Sequence, residues 1–233
     1  MNRQSNLYTV IYIIVMVVVV GAALAFTSMS LKDRQNDNMA ADKMRQILAS
    51  VHVVPEASQV ISDYKKYITD SYVVDAAGKR VEGDAFDINV AAQSKLSAPE
   101  RRLPVYVATM PDGAVKYILP VYGAGLWGPI WGYVALDTDG STVFGAYFAH
   151  QGETPGLGAE IAKPEFSNRF IGKHMFKDGQ FLPVAVVKTG QKPAGDEDYV
   201  DGVSGGTITS KGVGAMIDDC LRPYAAFLQS IRK

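Results

Sequence analysis

Ten consecutive residues near the C-terminus combine three glycines with four hydroxyl side chains, immediately before an amphipathic helical pattern. They read Asp201-Gly202-Val203-Ser204-Gly205-Gly206-Thr207-Ile208-Thr209-Ser210. Glycines expose backbone N–H groups and a helix N-terminus attracts an anion, so this composition suits a phosphate group beside a hydroxyl. The same residues also suit an ordinary helix start with Thr209 or Ser210 as the N-cap. The residue types alone leave both interpretations open.

Other arrangements that carry chemistry are missing from the sequence. The three histidines, His52, His150 and His174, are far apart and lack metal-ligand spacing. There is no Gly-x-Ser-x-Gly nucleophile elbow, no phosphate-binding P-loop and no dinucleotide fingerprint. We therefore expect neither a catalytic residue nor a metal site nor an NADH site in this chain, and any electron that it carries must come from a partner.

One stretch is apolar enough to cross a membrane. The run from Leu7 to Phe26 is uncharged and about twenty residues long, which predicts an anchoring helix over residues 7–28 after a short tail, residues 1–6. The small residues at 22–25 also suit a cleaved signal peptide. The length of the run and the lack of a clear cleavage box favour an uncleaved anchor. Positive charges near both ends leave its orientation open.

The composition argues against two properties, nucleic-acid binding and an internal disulfide. A formal net charge of −1, with no basic cluster among aromatic residues, argues against nucleic-acid binding. The single cysteine, Cys220, cannot form an internal disulfide. It falls on the apolar face of a predicted helix, which indicates a small core residue.

The periodicity predicts an α+β fold in which helices cover a mostly antiparallel sheet. Residues 29–102 form a juxtamembrane region, with helices near residues 37–51 and 60–68, a strand and turn at residues 72–79, and a loop over residues 91–102. Residues 103–233 form the main domain, in which short turns between the strands favour antiparallel pairing. Its predicted strands are Val105–Met110, Val115–Val121, Ile130–Leu136, Val143–His150 and Phe181–Lys188.

A final helix is predicted from Lys211 to Ile231, because its apolar residues follow the helical period closely. Pro223 lies inside this pattern and predicts a kink or a break. Upstream, Trp127 and Trp131 are interpreted as core anchors.

The ten-residue stretch closely resembles the flavinylation motif, an aspartate followed by Ser/Thr-Gly-Ala-Thr. In that motif a transferase joins the phosphate of FMN to the threonine hydroxyl, which implies Thr207 as the acceptor here. The resemblance also implies that Ser204, Gly205, Gly206 and Thr209 surround the cofactor. Gly206 replaces the usual alanine, which keeps the position small but makes the loop less ordered.

A second segment, Glu153-Thr154-Pro155-Gly156-Leu157-Gly158, has the composition of a loop after a strand. It is also similar to a segment of the FMN-binding domain family that lies beside the flavin ring. That resemblance implies flavin contacts from Glu153, Thr154, Leu157 and Gly158. Residues 120–135 resemble the same family.

The chain as a whole resembles the NqrC family, a subunit family of the Na⁺-translocating NADH:quinone reductases. The resemblance covers the anchor, the segment Leu31-Lys32-Asp33-Arg34-Gln35, the following helix and the later motifs in order. It implies an FMN-binding domain that carries covalent FMN on Thr207 and transfers electrons within a sodium-pumping membrane complex. It also implies a second flavin subunit as partner, a flavin transferase that uses FAD and Mg²⁺, contact with membrane lipid, and a bacterial inner-membrane location with a periplasmic domain.

Two alternatives remain open from the sequence. The G-type flavoprotein of the related Rnf complex shares the later motifs, although the juxtamembrane segment favours the quinone reductase. A membrane-anchored binding or scaffold module could also have this fold and carry no flavin.

Overall fold

The computed structural model describes residues 6–232, which divide into two compact units, one ending at Lys43 and one beginning at Met44. The first unit consists of most of helix α1, Asn6–Ala49, which contains an apolar window with mean hydropathy 2.8. By length and composition this helix can cross a membrane. It covers the predicted anchor, and it continues without interruption through the helix predicted near residues 37–51. The predicted N-terminal tail, apart from Asn6, lies outside the described residues.

The second unit is built on a six-stranded antiparallel sheet with the order β2-β1-β3-β4-β5-β6. Strands β1 and β2 precede residue 103, so residues on both sides of that position share this sheet. The strands of the sheet are β1 Ile68–Val74, β2 Arg80–Val81, β3 Leu103–Thr109, β4 Val115–Ala124, β5 Pro129–Leu136 and β6 Val143–His150. The four long predicted strands from 105 to 150 are confirmed, as is the antiparallel pairing that their short turns predicted.

The predicted strand Phe181–Lys188 is wrong. It is divided into β8, Gln180–Phe181, which pairs with β7, Phe176–Lys177, and β9, Ala185–Val187. Strand β9 pairs in parallel with β10, Tyr199–Asp201. Pro183 lies at the division, and a proline cannot donate a hydrogen bond to a strand ladder.

Both faces of the main sheet are covered. The larger core lies between the sheet and helix α5, Thr207–Leu221, and includes Val121, Val134, Val213 and Ile217. On the other face, Ile47 in the last turn of α1 and Val51 just after the helix pack with residues such as Tyr106 and Tyr133. Burial of this apolar area on two faces is the main stabilising contribution to the domain. The remaining helices are α2 Val60–Tyr67, α3 Val90–Gln93, α4 Pro164–Ser167, α5 Thr207–Leu221 and α6 Ala225–Ile231, with 3-10 turns at Ala98–Glu100, Gly158–Ala162, Asn168–Phe170 and Arg222–Tyr224.

Two helical predictions need correction. The loop expected over residues 91–102 contains the end of α3 and a 3-10 turn. The last helix begins at Thr207, four residues earlier than predicted, because small and polar residues there hid the helical period. The break predicted at Pro223 is confirmed, since a 3-10 turn separates α5 from α6 at this position.

Candidate functional site

Residues 202–206, called here the acceptor loop, connect β10 to α5. Gly205 has φ +80, a left-handed conformation that favours glycine. Gly206 is the N-cap of α5 without a side-chain cap, and its carbonyl accepts the first helical bond from Ser210 N at 2.9 Å. Of the two interpretations that the sequence left open, the one with Thr209 or Ser210 as the N-cap is therefore wrong. The loop brings Thr207 to the first turn of the helix, where free backbone N–H groups favour a negatively charged group.

The fold sorts the four hydroxyl side chains of this region into two pairs. Thr209 is buried and its Oγ1 donates to Glu153 Oε2 at 2.5 Å. Ser210 is buried too, and its Oγ accepts from Val203 N at 2.8 Å. Ser204 and Thr207 are exposed. Of the four hydroxyl residues, these two are the ones that are open to solvent.

The loop of residues 153–158 lies against the acceptor loop. A Cβ added to Gly206 would lie 3.1 Å from the carbonyl carbon of Leu157, and one added to Gly205 would lie 2.7 Å from Leu157 Cδ2. A Cβ on Gly158 would lie 2.5 Å from Thr209 Oγ1. The two motifs that are far apart in the sequence are therefore in direct contact.

Glu153 is a buried carboxylate, 4% exposed, at the centre of this contact. Its Oε1 accepts from Trp127 N at 2.8 Å, while Oε2 accepts from Thr209. Burial by itself raises the pKa of Glu153, but hydrogen bonds from the Thr209 hydroxyl and from the backbone of Trp127 and Leu126, together with nearby His150, outweigh it and hold the pKa below its ordinary value. The side chain is thus an ionised acceptor that joins three segments.

Four large apolar side chains are exposed on α5, on the loop of residues 153–158 and on the β4–β5 turn that is hydrogen-bonded to Glu153, and we call them the apolar rim. Trp127 is 69% exposed and Ile208, next to Thr207, is 58% exposed. The other two members are Leu126 and Leu157. The interpretation of Trp127 as a core anchor is wrong, because the tight β4–β5 turn directs it away from the core. Trp131 is half-buried, and its Nε1 donates to Gln46 Oε1 at 3.0 Å.

A cavity of about 170 Å³ opens beside Thr207. Lys188 and Lys211 line it together with Ser204 and Ser210. A larger open groove of about 1120 Å³ meets the site at Gly156 and Ser204 and is lined by both acidic and basic side chains. Sequence reasoning did not find Lys188, because nothing in its local sequence indicates that β9 lies beside α5.

The structure brings the residues predicted from the motifs to one end of the domain. Thr154 is exposed, and its carbonyl accepts from Leu157 N and Ala159 N, both at 3.1 Å. Glu153 and Gly158 are buried beneath the loop surface. The predicted set is Ser204, Gly205, Gly206, Thr207, Thr209, Glu153, Thr154, Leu157 and Gly158. Among the described residues, no group of three or more His, Cys, Asp or Glu side chains could hold a metal ion.

The site has features that fit FMN. An exposed hydroxyl, a small cavity with two lysines and an apolar rim match a phosphate and a flat ring. The FMN-binding domain family matches residues 125–222, which include both loops. The chain therefore has the fold of an FMN-binding domain, with an N-terminal apolar helix.

Relatives that match nearly the whole chain identify the family within this class. The NqrC subunit of the Na(+)-translocating NADH-quinone reductase of Vibrio anguillarum is 35% identical, over 99% of this chain and 97% of its own length. The corresponding subunit of Vibrio vulnificus is 36% identical over 92% of this chain and 93% of its own length. The chain belongs to the NqrC family of Na⁺-translocating NADH-quinone reductase subunits.

Two solved crystal structures support the same family assignment. The crystal structure of the same subunit from Parabacteroides distasonis has a TM-score of 0.80 and 50% identity, and covers 85% of this chain and 96% of its own. That of NqrC from Shewanella oneidensis has a TM-score of 0.69 and 25% identity, and covers 83% of this chain and 98% of its own. The α+β prediction and the family resemblance are both confirmed.

Proposed function

We propose that this chain is the subunit of a Na⁺-translocating NADH:quinone reductase that carries FMN on Thr207 and transfers electrons within the complex. The observation that carries the choice of Thr207 is that it is the exposed hydroxyl in the first turn of α5, beside a cavity with two lysines. Thr209 and Ser210 are buried and hydrogen-bonded within the protein. Ser204 is exposed at the same cavity but precedes the helix. In the attachment, the Thr207 oxygen would form a bond to the phosphorus of the FMN half of FAD, the pyrophosphate bond would break, and AMP and the hydroxyl proton would leave, so that a phosphodiester joins cofactor and protein.

The residues of the chain bind and orient the cofactor. FMN supplies the ability to carry electrons one at a time. The N–H groups of the first turn of α5, with Lys188 and Lys211, offset the charge that remains on the phosphodiester. The apolar rim, in particular Trp127 and Leu157, provides a surface for the ring. Ser204, Gly205 and Thr154 form the exposed wall around the attachment point, and the buried Gly206 lies directly before it.

The remaining parts of the proposal concern partners and location. We propose a flavin transferase that uses FAD and Mg²⁺, a second flavin subunit that receives the electron, and no NADH site in this chain. The apolar part of α1 contacts membrane lipid and makes the protein a single-pass protein of the bacterial inner membrane, with the domain on the periplasmic side. The near-full-length relatives support the quinone reductase over the Rnf complex and over a scaffold without flavin.

The experiment is coexpression of the full chain with a flavin transferase, followed by fluorescence of the denatured protein and intact mass. We expect a mass gain of one FMN less one water on the peptide that contains Thr207. Thr207→Ala should lose the label and Thr207→Ser should keep it, because attachment needs a hydroxyl. Ser204→Ala is the matched control for the other exposed hydroxyl and should be labelled normally. A labelled Thr207→Ala protein would contradict the proposal.

A further inference from the structure

We infer that Glu153 is a positioning residue for flavin attachment, which acts by fixing the first turn of α5 and thereby the orientation of Thr207. This inference rests on the proposed attachment at Thr207. It assigns to Glu153 a role through its protein neighbours, in addition to the flavin contact that the family resemblance implied.

The first argument is the set of segments that Glu153 joins. Its two carboxylate oxygens accept from Trp127 N in the β4–β5 turn and from Thr209 Oγ1 in α5. Its own N–H donates to His150 Nδ1 at the end of β6, at 3.2 Å. One residue therefore connects the sheet, the turn that carries part of the apolar rim, and the helix whose first residue is Thr207.

The second argument is that the carboxylate of Glu153 is tightly packed between two glycines. A Cβ added to Gly125 would lie 2.5 Å from Glu153 Oε1, and one added to Gly158 would lie even closer to Oε2. Real Cβ atoms essentially never approach this closely. Glycines on both sides thus leave room for a carboxylate and for little else, which fixes its position and that of its donors.

The third argument is the position of Thr209 relative to Thr207. Two residues on a helix lie about 200° apart around the axis, so a hydroxyl held inward at Thr209 orients Thr207 toward the opposite, exposed side. The acceptor loop before Thr207 contains Gly205 and Gly206 and offers little stiffness by itself. The bond from Thr209 to Glu153 supplies the stiffness that the glycines lack.

The test measures attachment rather than electron transfer. The full chain is purified in detergent without FMN, from cells that lack a transferase, and is then mixed with purified flavin transferase, FAD and Mg²⁺. The initial rate of covalent FMN incorporation is read from fluorescence after denaturation. Thermal melting and circular dichroism on each variant show that the protein tested is folded.

Four variants separate positioning from simple stability. Glu153→Ala removes both acceptors, and Thr209→Val removes one donor at nearly constant volume. Glu153→Gln keeps an oxygen for Trp127 N and an amide that can donate to Thr209 Oγ1. Arg101→Ala is the stability control, because Arg101 holds the far end of α5 through Asp219 at 3.1 Å and does not touch the acceptor loop.

We expect Glu153→Ala and Thr209→Val to lower the initial rate about tenfold or more, because misplacement of a reacting group by a fraction of an ångström is costly. Glu153→Gln should restore most of the rate, and Arg101→Ala should keep it despite a lower melting temperature. If Glu153→Ala does not fold, the initial rates of Thr209→Val and Glu153→Gln test the inference.

Two results would overturn the inference. One is a rate within twofold of wild type for Thr209→Val and folded Glu153→Ala. The other is an equal loss in Arg101→Ala, which would show that stability alone accounts for the effect. These failures differ from failure of the proposed function, in which the unaltered chain takes up no covalent FMN or Thr207→Ala still does.

Discussion

The hydroxyl of Thr209 donates a 2.5 Å hydrogen bond to the carboxylate of Glu153, across 56 residues of sequence. Both side chains are almost completely buried, at 1% and 4% exposure. A short bond between a hydroxyl and an ionised carboxylate is stronger than one between neutral groups. It connects the two segments that the family resemblance assigned to FMN, and four expectations follow from it and from its surroundings.

Thr209→Val should destabilise the domain. The change keeps the shape of the side chain but leaves a buried carboxylate with one donor fewer, which costs about 1–3 kcal/mol. The free energy of unfolding in urea, measured on the full chain in detergent, checks this. Thr154→Val is the matched control, because Thr154 is exposed, and it should change stability by less than about 0.5 kcal/mol. Equal effects at the two positions would contradict the expectation.

The stability difference between wild type and Glu153→Gln should depend on pH. The folded pKa of Glu153 lies below its ordinary value of 4.5, so as pH falls the unfolded chain takes up the proton first. The contribution of the ionised carboxylate is therefore complete above the ordinary value and is lost as pH falls through the folded pKa. Urea unfolding at a series of pH values should show the largest difference near neutral pH.

The comparison of wild type with Glu153→Gln also controls for other groups that titrate in acid. Asp139 and Asp198 also have lowered pKa values, where hydrogen bonds from neighbouring groups outweigh burial. Both are present in the two proteins, so their contributions cancel in the difference. A difference that stays constant between about pH 7 and about pH 3, or that grows in acid, would count against an ionised Glu153.

Two glycines of the site should respond differently to alanine. In Gly158→Ala the new Cβ would meet Glu153 Oε2 and, at 2.5 Å, Thr209 Oγ1, and we expect a loss of about 1–3 kcal/mol. In Gly206→Ala the nearest atoms belong to the Leu157 carbonyl at 3.1 Å, and φ is −101, so a small shift suffices. Thermal unfolding should show a loss below about 1 kcal/mol for Gly206→Ala. The reverse order of stability would contradict the geometry.

Cys220 should be unreactive in the folded protein. Burial raises the pKa of its thiol to about 11, and the thiol donates to Tyr122 O at 3.2 Å. Since the thiolate is the reactive form, a thiol reagent at about pH 8 should label it slowly until guanidinium unfolds the chain. Rapid labelling of the native protein would show that this face of α5 opens. The measurement is the rate at which the thiol reagent labels Cys220 before and after denaturation.

Several parts of the fold could be predicted because they depend on local patterns. The apolar run in α1, the short apolar runs between turns that became β3 to β6, and the break at Pro223 each follow from local side-chain patterns or from proline chemistry. The start of α5 at Thr207 was missed, since glycine, serine and threonine carry no helical period. The single strand expected at Phe181–Lys188 was wrong because pairing partners, which lie elsewhere in the chain, decide strand limits.

The candidate site also combines features that local patterns predict with features that depend on distant segments. The sequence by itself determined the apolar helix, the α+β class and the family, and its motifs predicted the residues of the candidate FMN site, because motifs and periods are local. Only the tertiary structure decided that Thr209 is buried against Glu153 while Thr207 is exposed. The tertiary structure likewise decided that Lys188 lines the cavity beside Thr207 and that Trp127 lies outside the core. Burial and hydrogen bonding between distant segments depend on how those segments pack, and a local pattern contains no information about that packing.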